Sequence, residues 1–496
     1  MDINYSLDRA FILKLPDELL SMIISPMAPI IDDHEYLREQ YQPYEMAVAL
    51  SLVCQRFYRL TVPYLYAELV INTGDNTWRR PTHISKYLHR TFRENPLLWK
   101  LCRHLTVTYD KSNIDNLYAV TDCLTWLTAA KSLTFWGLEG KKAWELLQLS
   151  AKHISGCNIL SLDANYRYNL HLPFVIDALG DFKSGFLPNL QTLKLGGVSV
   201  YGDQICQDEL KEKAGTAPFT KLQLRSFLLT PKSLEALVCW PRRLEEFELK
   251  YSSGDDFATS GLYNSWSLAT LQPILYIHRK TLRSIKLYGL NKNGFDGFDL
   301  REFENLEKLS LASSFSGHPL FNRNESCEPP DSLLAPHLRV FHWDLTLLDQ
   351  QCCEVLRDFG QAEEDWLRLL ARKAIKHGCP LQRIEITFNP VFDEYIGIDK
   401  VYPWDRMDAM GADLRPHGIE VSYDTPTVSR ERYSMLLERA AEDNAKLAAK
   451  LREFLEKFLN EPADEAYTYS GVKIEVPAFH LSTLDPGISY MVEHPR

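Results

Sequence analysis

The amino-acid sequence predicts an α/β protein with a short N-terminal helical segment, a long array of strand-and-helix repeats, and a long helix near the C-terminus. Three observations support this fold class: two apolar stripes at helical spacing, a recurring apolar-x-x-apolar-x-apolar pattern, and a late heptad pattern. A chain of 496 residues is too long for one compact core, so we expect several domains or an elongated array.

The first helix is predicted to start at Pro16. Proline fits the first helical position, where no N–H is needed, and Asp17 and Glu18 then lie in the first turn, where the helix dipole favours negative charge. A second apolar helix follows, and neither helix is stable unless its stripe is buried against the other helix or a partner. The two stripes comprise Leu19, Leu20, Ile23 and Ile24, and Met46, Leu50, Val53, Cys54, Phe57 and Leu60.

These two helices resemble an F-box. The family opens with Leu-Pro-x-Glu-Leu-Leu and closes with a Val-Cys-x-x-(aromatic) helix, which correspond here to residues 15–20 and 53–57. The segment that follows, residues 58–66, is similar to the ending common in fungal F-box proteins, and the resemblance covers residues 11–70. Residues 26–44 form a longer connection than the family usually has, and their prolines and acidic residues predict a polar inserted loop.

The F-box resemblance implies that the chain docks onto the SKP-type adaptor, and through it the core, of a cullin–RING ubiquitin ligase. An alternative is that the two stripes serve only internal packing against the first repeat. The family positions that would carry the adaptor contact are Leu15, Pro16, Leu19, Leu20, Ile23, Val53, Cys54 and Phe57.

The recurring apolar pattern over residues 83–425 predicts an irregular leucine-rich-repeat solenoid. The last two apolar positions of each copy alternate with polar ones, as in a strand with one buried face. Charged intervening residues such as Lys194, Glu246 and Lys286 require solvent on the other face, which argues against the alternative of a doubly wound sheet. The central positions are Leu105, Leu133, Leu160, Leu193, Phe227, Phe247, Ile285, Leu309, Phe341 and Ile384, with a degenerate last copy at Ile419 and Val421.

Helices and loops are predicted between these strands. Residues 361–377 form an amphipathic pattern that Gly378 would end, and a strand follows directly. Residues 252–265 and 314–332 are rich in glycine, serine, asparagine or proline, which predicts two exposed loops.

The C-terminal stretch has a different pattern. Residues 427–460 place Tyr433, Leu437, Ala440 and further apolar residues at alternating steps of four and three, with Asn444 as one polar member. This predicts a long amphipathic helix, which either caps the array or forms a coiled-coil dimer. Residues 461–496 contain several prolines and glycines and are predicted to be a strap or a flexible tail.

Composition excludes several classes of function. A formal net charge of −11 argues against general nucleic-acid binding, which needs a basic surface. The sequence starts without a basic and apolar leader and contains no apolar run long enough to cross a membrane, so neither secretion nor a membrane partner is expected. The 10 cysteines are irregularly spaced within apolar runs, which is typical of reduced thiols in a cytoplasmic or nuclear protein.

Catalytic motifs are missing from the sequence. It contains no phosphate loop, no nucleophile elbow and no zinc-binding spacing, and the adjacent Cys352 and Cys353 are predicted to be a helix core pair. His342 and Asp344 share one strand face and could be a base with its orienting acid, although binding residues are the simpler interpretation. We therefore expect no catalytic residue, metal or cofactor.

The leading functional prediction is a substrate-recognition adaptor of a ubiquitin ligase. The solenoid would hold an unknown protein substrate on its concave strand face, where lysines suit an acidic segment and two aromatic residues offer anchors. A leucine-rich-repeat scaffold without a ligase and an enzyme with an unrecognised site are the alternatives. The predicted substrate-binding residues are Trp136, Lys194, Lys250, Lys286, Tyr288, Lys308, His342 and Asp344.

Overall fold

We analysed a computed structural model of the chain. It divides into two compact units, Met1–Tyr433 and Ser434–Arg496. The residues that the structure describes are 14–24, 41–74, 84–111, 114–138, 140–164, 170–179, 187–198, 203–250, 266–288, 295–312, 328–345, 359–390 and 400–460.

The first unit begins with a helical segment of α1 (Asp17–Ile24), α2 (Tyr41–Ser51) and α3 (Gln55–Leu65). Leu20 and Ile24 of α1 and Phe57 of α3 form a buried cluster, so the two predicted stripes meet in one small core. The predicted inserted loop, residues 26–44, is wrong at its end, because α2 already starts at Tyr41; its residues 25–40 lie outside the described residues.

The helical segment is followed by a parallel sheet of 12 strands, and the strands neighbour one another in chain order. Because the order of these strands never reverses along the sheet, the sheet lacks the switch point of a doubly wound fold. The predicted α/β repeat architecture is therefore confirmed. The strands are β1 (Glu68–Asn72), β2 (His104–Thr108), β3 (Ser132–Trp136), β4 (Ile159–Asp163), β5 (Thr192–Val198), β6 (Lys221–Phe227), β7 (Glu246–Lys250), β8 (Ser284–Tyr288), β9 (Lys308–Ala312), β10 (Val340–Asp344), β11 (Arg383–Thr387) and β12 (Glu420–Tyr423).

Two buried apolar positions per strand hold the sheet together. They stay in register from strand to strand, for example Leu193 beside Leu160 and Leu195 beside Leu162. A second ladder runs along the amino ends of β2 to β11, where the residue before each strand donates its N–H to the carbonyl of the same position one repeat earlier, as Lys131 does to Arg103. Each repeat therefore completes the hydrogen bonding and the core of its neighbour.

Helices cover the buried face of the sheet. The pairing is clear at α11 (Gln361–His377), whose Trp366 ring contacts Phe341 and Trp343 of β10. This helix has the predicted bounds, and Gly378 ends it with a left-handed φ of 68°. The helices between the strands are α4 (Ile84–Glu94), α5 (Leu117–Trp126), α6 (Lys141–His153), α7 (Leu172–Leu179), α8 (Asp203–Glu212), α9 (Pro231–Cys239), α10 (Leu268–Tyr276), α11 (Gln361–His377) and α12 (Pro403–Leu414).

Two strands differ from the sequence prediction. The sequence pattern does not include β1, because its residues 68–70 fall within the segment that resembles an F-box. The fifth predicted copy is also placed too late: Leu222 and Leu224 occupy the two inward positions of β6, beside Leu193 and Leu195, whereas the sequence pattern predicts Phe227 as the central position. Ser226, with a φ of 51°, kinks the strand before Phe227. As a result, the spacing of Leu224, Phe227 and Leu229 matches the repeat pattern although these residues do not begin a new copy.

The second unit contains most of α13 (Arg430–Asn460). Several predicted features lie outside the described residues. They are the loop at residues 252–265, residues 314–327 of the other predicted loop, the pair Cys352 and Cys353, and the tail at residues 461–496. Within the described part of the chain, no helix combines the length and the apolar character needed to cross a membrane.

Candidate partner-binding surfaces

The helical segment divides the predicted docking residues into a buried and an exposed set. Leu20 is 0% exposed and Phe57 is 5% exposed, so both belong to the core of the segment. Leu19, Ile23 and Val53 are 45%, 42% and 63% exposed. Leu15 and Cys54 are half-buried beside that core, and Pro16 is exposed. A stripe that was predicted as one surface therefore has an inner and an outer side.

Further apolar side chains extend this outer side, and the sequence analysis did not select them. Met22 follows Leu19 by three residues on α1 and is 69% exposed, and Leu52, beside Val53 in the turn between α2 and α3, is 79% exposed. Met46 is also exposed although it belonged to the predicted core stripe. We call Leu19, Met22, Ile23, Leu52 and Val53 the helical surface.

Two ion pairs of Asp17, which we call the Asp17 clasp, join α1 to α3. The Asp17 carboxylate lies 2.7 Å from the Arg56 guanidinium and 2.6 Å from that of Arg59. The hydrogen bond from Arg56 and the charges of both arginines lower the pKa of Asp17. Asp17 is the x of the Leu-Pro-x-Glu-Leu-Leu motif, so this variable position has a local structural role.

The second candidate surface is the open face of the sheet, formed by the side chains that alternate with the buried positions. Three positions on each of β1 to β11 and two on β12 lie on this face, and the register puts equivalent positions side by side from strand to strand. They include seven lysines or arginines and seven carboxylates. The open face is therefore highly charged without a net sign.

An ion pair spans three strands near the middle of the open face. Asp163 of β4 pairs with Arg225 of β6, across Gly196 of β5. A side-chain carbon on Gly196 would lie 2.5 Å from an oxygen of Asp163, so only glycine leaves room for this contact. Burial raises the pKa of Asp163, and the Arg225 charge opposes that rise. The sequence pattern does not select Arg225, because the fifth predicted copy has a later register than β6.

Two of the predicted lysines form ion pairs. Lys286 lies 3.4 Å from Glu248 of the preceding strand, and Lys308 lies 2.5 Å from Glu385, two strands further along. These internal partners remove much of the free positive charge on which the predicted acidic ligand depended. Glu248 lies in register with Lys286 on the neighbouring strand, whereas Glu385 lies two strands from Lys308, so no single copy of the repeat reveals either pair.

The carboxyl ends of β7 to β10 bring four predicted residues together. The Lys250 ammonium lies 5.9 Å from the centre of the Tyr288 ring. Burial lowers the pKa of Lys250 and raises that of Tyr288, and the nearby negative charge of Asp344 opposes the first shift and adds to the second. His342 Nε2 lies 2.9 Å from the Thr387 hydroxyl, and burial lowers the pKa of this histidine.

The predicted substrate-binding residues thus form two groups. Lys250, Lys286, Tyr288, Lys308, His342 and Asp344 share four adjacent strands. Trp136 lies on β3, five strands from Tyr288, which is about 24 Å at the usual strand spacing. Lys194 lies between them on β5. A partner that contacted both aromatic residues would have to extend along the sheet.

Comparison with known proteins identifies no family. No family model matches the sequence, and no curated protein matches it. Among solved structures, the chain is similar to one in the crystal structure of the Rad7 and Elc1 complex in yeast, with 16% identity over 68% of this chain and 90% of that chain. The TM-score is 0.26, which is too low to assign a fold or a function. What the geometry itself defines is a parallel-sheet repeat protein with a helical segment in front of its first strand.

Proposed function

We propose that this protein is a substrate-recognition adaptor of an SKP–cullin–F-box type ubiquitin ligase, and not an enzyme. The helical surface would dock an SKP-type adaptor, and the open face would hold the protein to be ubiquitinated. The F-box resemblance of residues 11–70 suggests this function. The observation that carries it is the exposure of Leu19, Ile23 and Val53 while Leu20 and Phe57 are buried.

This arrangement suits a docking surface because the segment has a core without those residues. The inner cluster and the Asp17 clasp already join α1 to α3, so the exposed leucine, isoleucine and valine add little to internal packing. Fully burying an exposed aliphatic side chain of this size contributes about 1.5–3 kcal/mol, and each of these three, which are 42–63% exposed, would gain roughly half of that. Three such side chains together supply the energy of a helix-in-groove contact.

The proposal is tested by co-purifying the full chain with an SKP-type adaptor. The double variant Leu19→Asp with Ile23→Asp should lose the adaptor, because a charge at a desolvated contact costs several kcal/mol. Both positions are exposed in the free chain, so the circular dichroism and unfolding midpoint of this variant should match those of the natural chain.

Leu97→Asp is the control, since Leu97 is an exposed leucine outside the helical surface. It should retain the adaptor. Adaptor binding that survives the double change would refute the F-box assignment. If the natural chain itself captures no SKP-type adaptor, the alternative of a repeat scaffold without ligase association is the better interpretation.

A further inference from the structure

The long helix α13 carries a seam of heptad-spaced residues that extends beyond the first unit. The first seam residue, Tyr433, is used within that unit: its ring packs against Tyr402 at 5.3 Å, and its hydroxyl donates to the Val401 carbonyl at 3.1 Å. The second unit begins at the next residue. In the sequence, the seam continues through Leu437, Ala440, Asn444, Leu447, Leu451, Phe454 and Phe458.

These seven positions alternate by three and four residues without interruption, as the a and d positions of a coiled coil do. Counted this way, Leu437, Asn444, Leu451 and Phe458 are a positions. Three full heptads of helix are about 32 Å long, which is enough for a two-stranded contact. The polar residue is thus at an a position, where a lone asparagine sets register and oligomeric state.

The side of α13 opposite the seam is exposed and carries charged residues. Glu442 and Lys446 are both exposed, and Lys446 lies 3.9 Å from Glu442 and 3.2 Å from Asp443. Such pairs at three and four residues are typical of the solvent side of a helix. The helix therefore has one charged side and one apolar seam, and a helix of this kind needs a partner for the seam.

We propose that residues 437–458 pair with the same residues of a second copy of this chain in a parallel, in-register coiled coil. Asn444 is the reason to choose this partner. In a parallel pair the a positions face each other, so each asparagine amide meets an identical group that can both donate and accept. Against an antiparallel copy or an apolar surface, the amide would face an apolar side chain and remain unpaired, which costs about 1–3 kcal/mol.

The inference is independent of the proposed adaptor function and is tested on the full chain. Light scattering coupled to size exclusion should give twice the monomer mass of 57.2 kDa at micromolar concentrations. Leu447→Asp with Leu451→Asp should give a monomer, because both changes place charge in the seam. Ala449→Asp is the matched control: it adds the same side chain at an exposed position outside the seam, and it should leave the dimer intact.

Orientation is tested with Ala440→Cys, a d position. In a parallel, in-register pair the two new thiols lie within disulfide reach, so mild oxidation should give a covalent dimer that the natural chain does not form. A further variant, Asn444→Leu, should still associate but should add species larger than a dimer, because the polar residue no longer restricts the oligomeric state.

A natural chain that stays monomeric over the whole concentration range would overturn the proposal, and would leave packing within one chain as the use of the seam. A dimer that Leu447→Asp with Leu451→Asp does not dissociate would place the contact elsewhere. A dimer without cross-linking at residue 440 would overturn the parallel arrangement.

Discussion

The glycine at position 196 should be required for the ion pair that spans β4 to β6. Asp163 and Arg225 lie two strands apart, about 10 Å at the usual spacing, and they meet only because β5 has no side chain between them. In Gly196→Ala the new methyl group would lie 2.5 Å from one Asp163 oxygen and 2.6 Å from its carboxyl carbon. The carboxylate must therefore move and lose Arg225.

Two opposing terms set the size of this effect. A hydrogen bond between charged groups contributes about 1.5–3 kcal/mol, while replacing glycine by alanine in a strand gains about 0.5–1 kcal/mol. Gly196 does not have a positive φ, so alanine adds no backbone strain. Arg225 is partly exposed and can recover some hydration, so we expect a net loss of about 1–2 kcal/mol in the free energy of unfolding.

Urea unfolding followed by circular dichroism measures this loss, and a double-mutant cycle isolates its cause. In the Asp163→Ala background the obstacle is gone, so Gly196→Ala should become neutral or stabilising by about 0.5–1 kcal/mol. If Gly196→Ala lowers the free energy of unfolding equally in the natural chain and in the Asp163→Ala variant, the loss is independent of the carboxylate and the proposed cause is wrong.

Two further predictions concern titration and thiol reactivity. Asp203 accepts hydrogen bonds from Thr230, Ser233 and Gln207, which hold its pKa below 3.8 despite partial burial. Asp203→Asn should therefore lower the free energy of unfolding by about 1–3 kcal/mol at pH 7. In urea unfolding experiments this difference should disappear as the pH falls through the lowered pKa, because a carboxyl whose pKa is lowered by folding stabilises the protein only above its unfolded-state pKa. A difference that persists at acidic pH would contradict this. Alkylation of the native chain at pH 8 should modify the half-buried Cys54 long before the four thiols whose pKa burial raises to about 12. After unfolding without reductant, all 10 cysteines should react. A stable disulfide would contradict the predicted reducing compartment. Those four thiols are Cys102, Cys123, Cys157 and Cys206.

The strands were predictable from the sequence because the signal is local. Each repeat buries two residues at a spacing of two, and polar residues between them mark the exposed side, so the pattern identifies a strand without knowledge of its neighbours. It failed at β6, where the kink at Ser226 and the matching left-handed Gly197 in β5 continue the pairing to Phe227. With the corrected register, Leu222 lies 29 residues after Leu193 and 25 before Phe247, so this part of the array is more regular than the sequence pattern indicated.

The candidate surfaces were less predictable, because apolar spacing does not distinguish a core from an interface. Leu19 and Leu20 are adjacent members of one stripe, yet Leu19 is exposed and Leu20 is buried. The difference depends on where α3 crosses α1, which the Asp17 clasp and Phe57 determine through contacts distant in sequence. Likewise, each lysine of the open face is visible in its own repeat, whereas its carboxylate belongs to another.

These cross-strand pairs also affect how a partner would be recognised. Lys221 with Glu246 and Lys286 with Glu248 join adjacent strands, and Lys308 with Glu385 joins strands two apart, so opposite charges on the open face neutralise one another as the repeats stack. A face without net charge produces little long-range steering, and the rate at which a partner associates with it should depend only weakly on salt. Affinity would then depend on contacts made at close range. Trp136 is a partly exposed aromatic residue on this face and can make such contacts, whereas Tyr288 is only 8% exposed and offers little contact area. Trp136 is therefore a better target for mapping a partner than Tyr288 or the paired lysines.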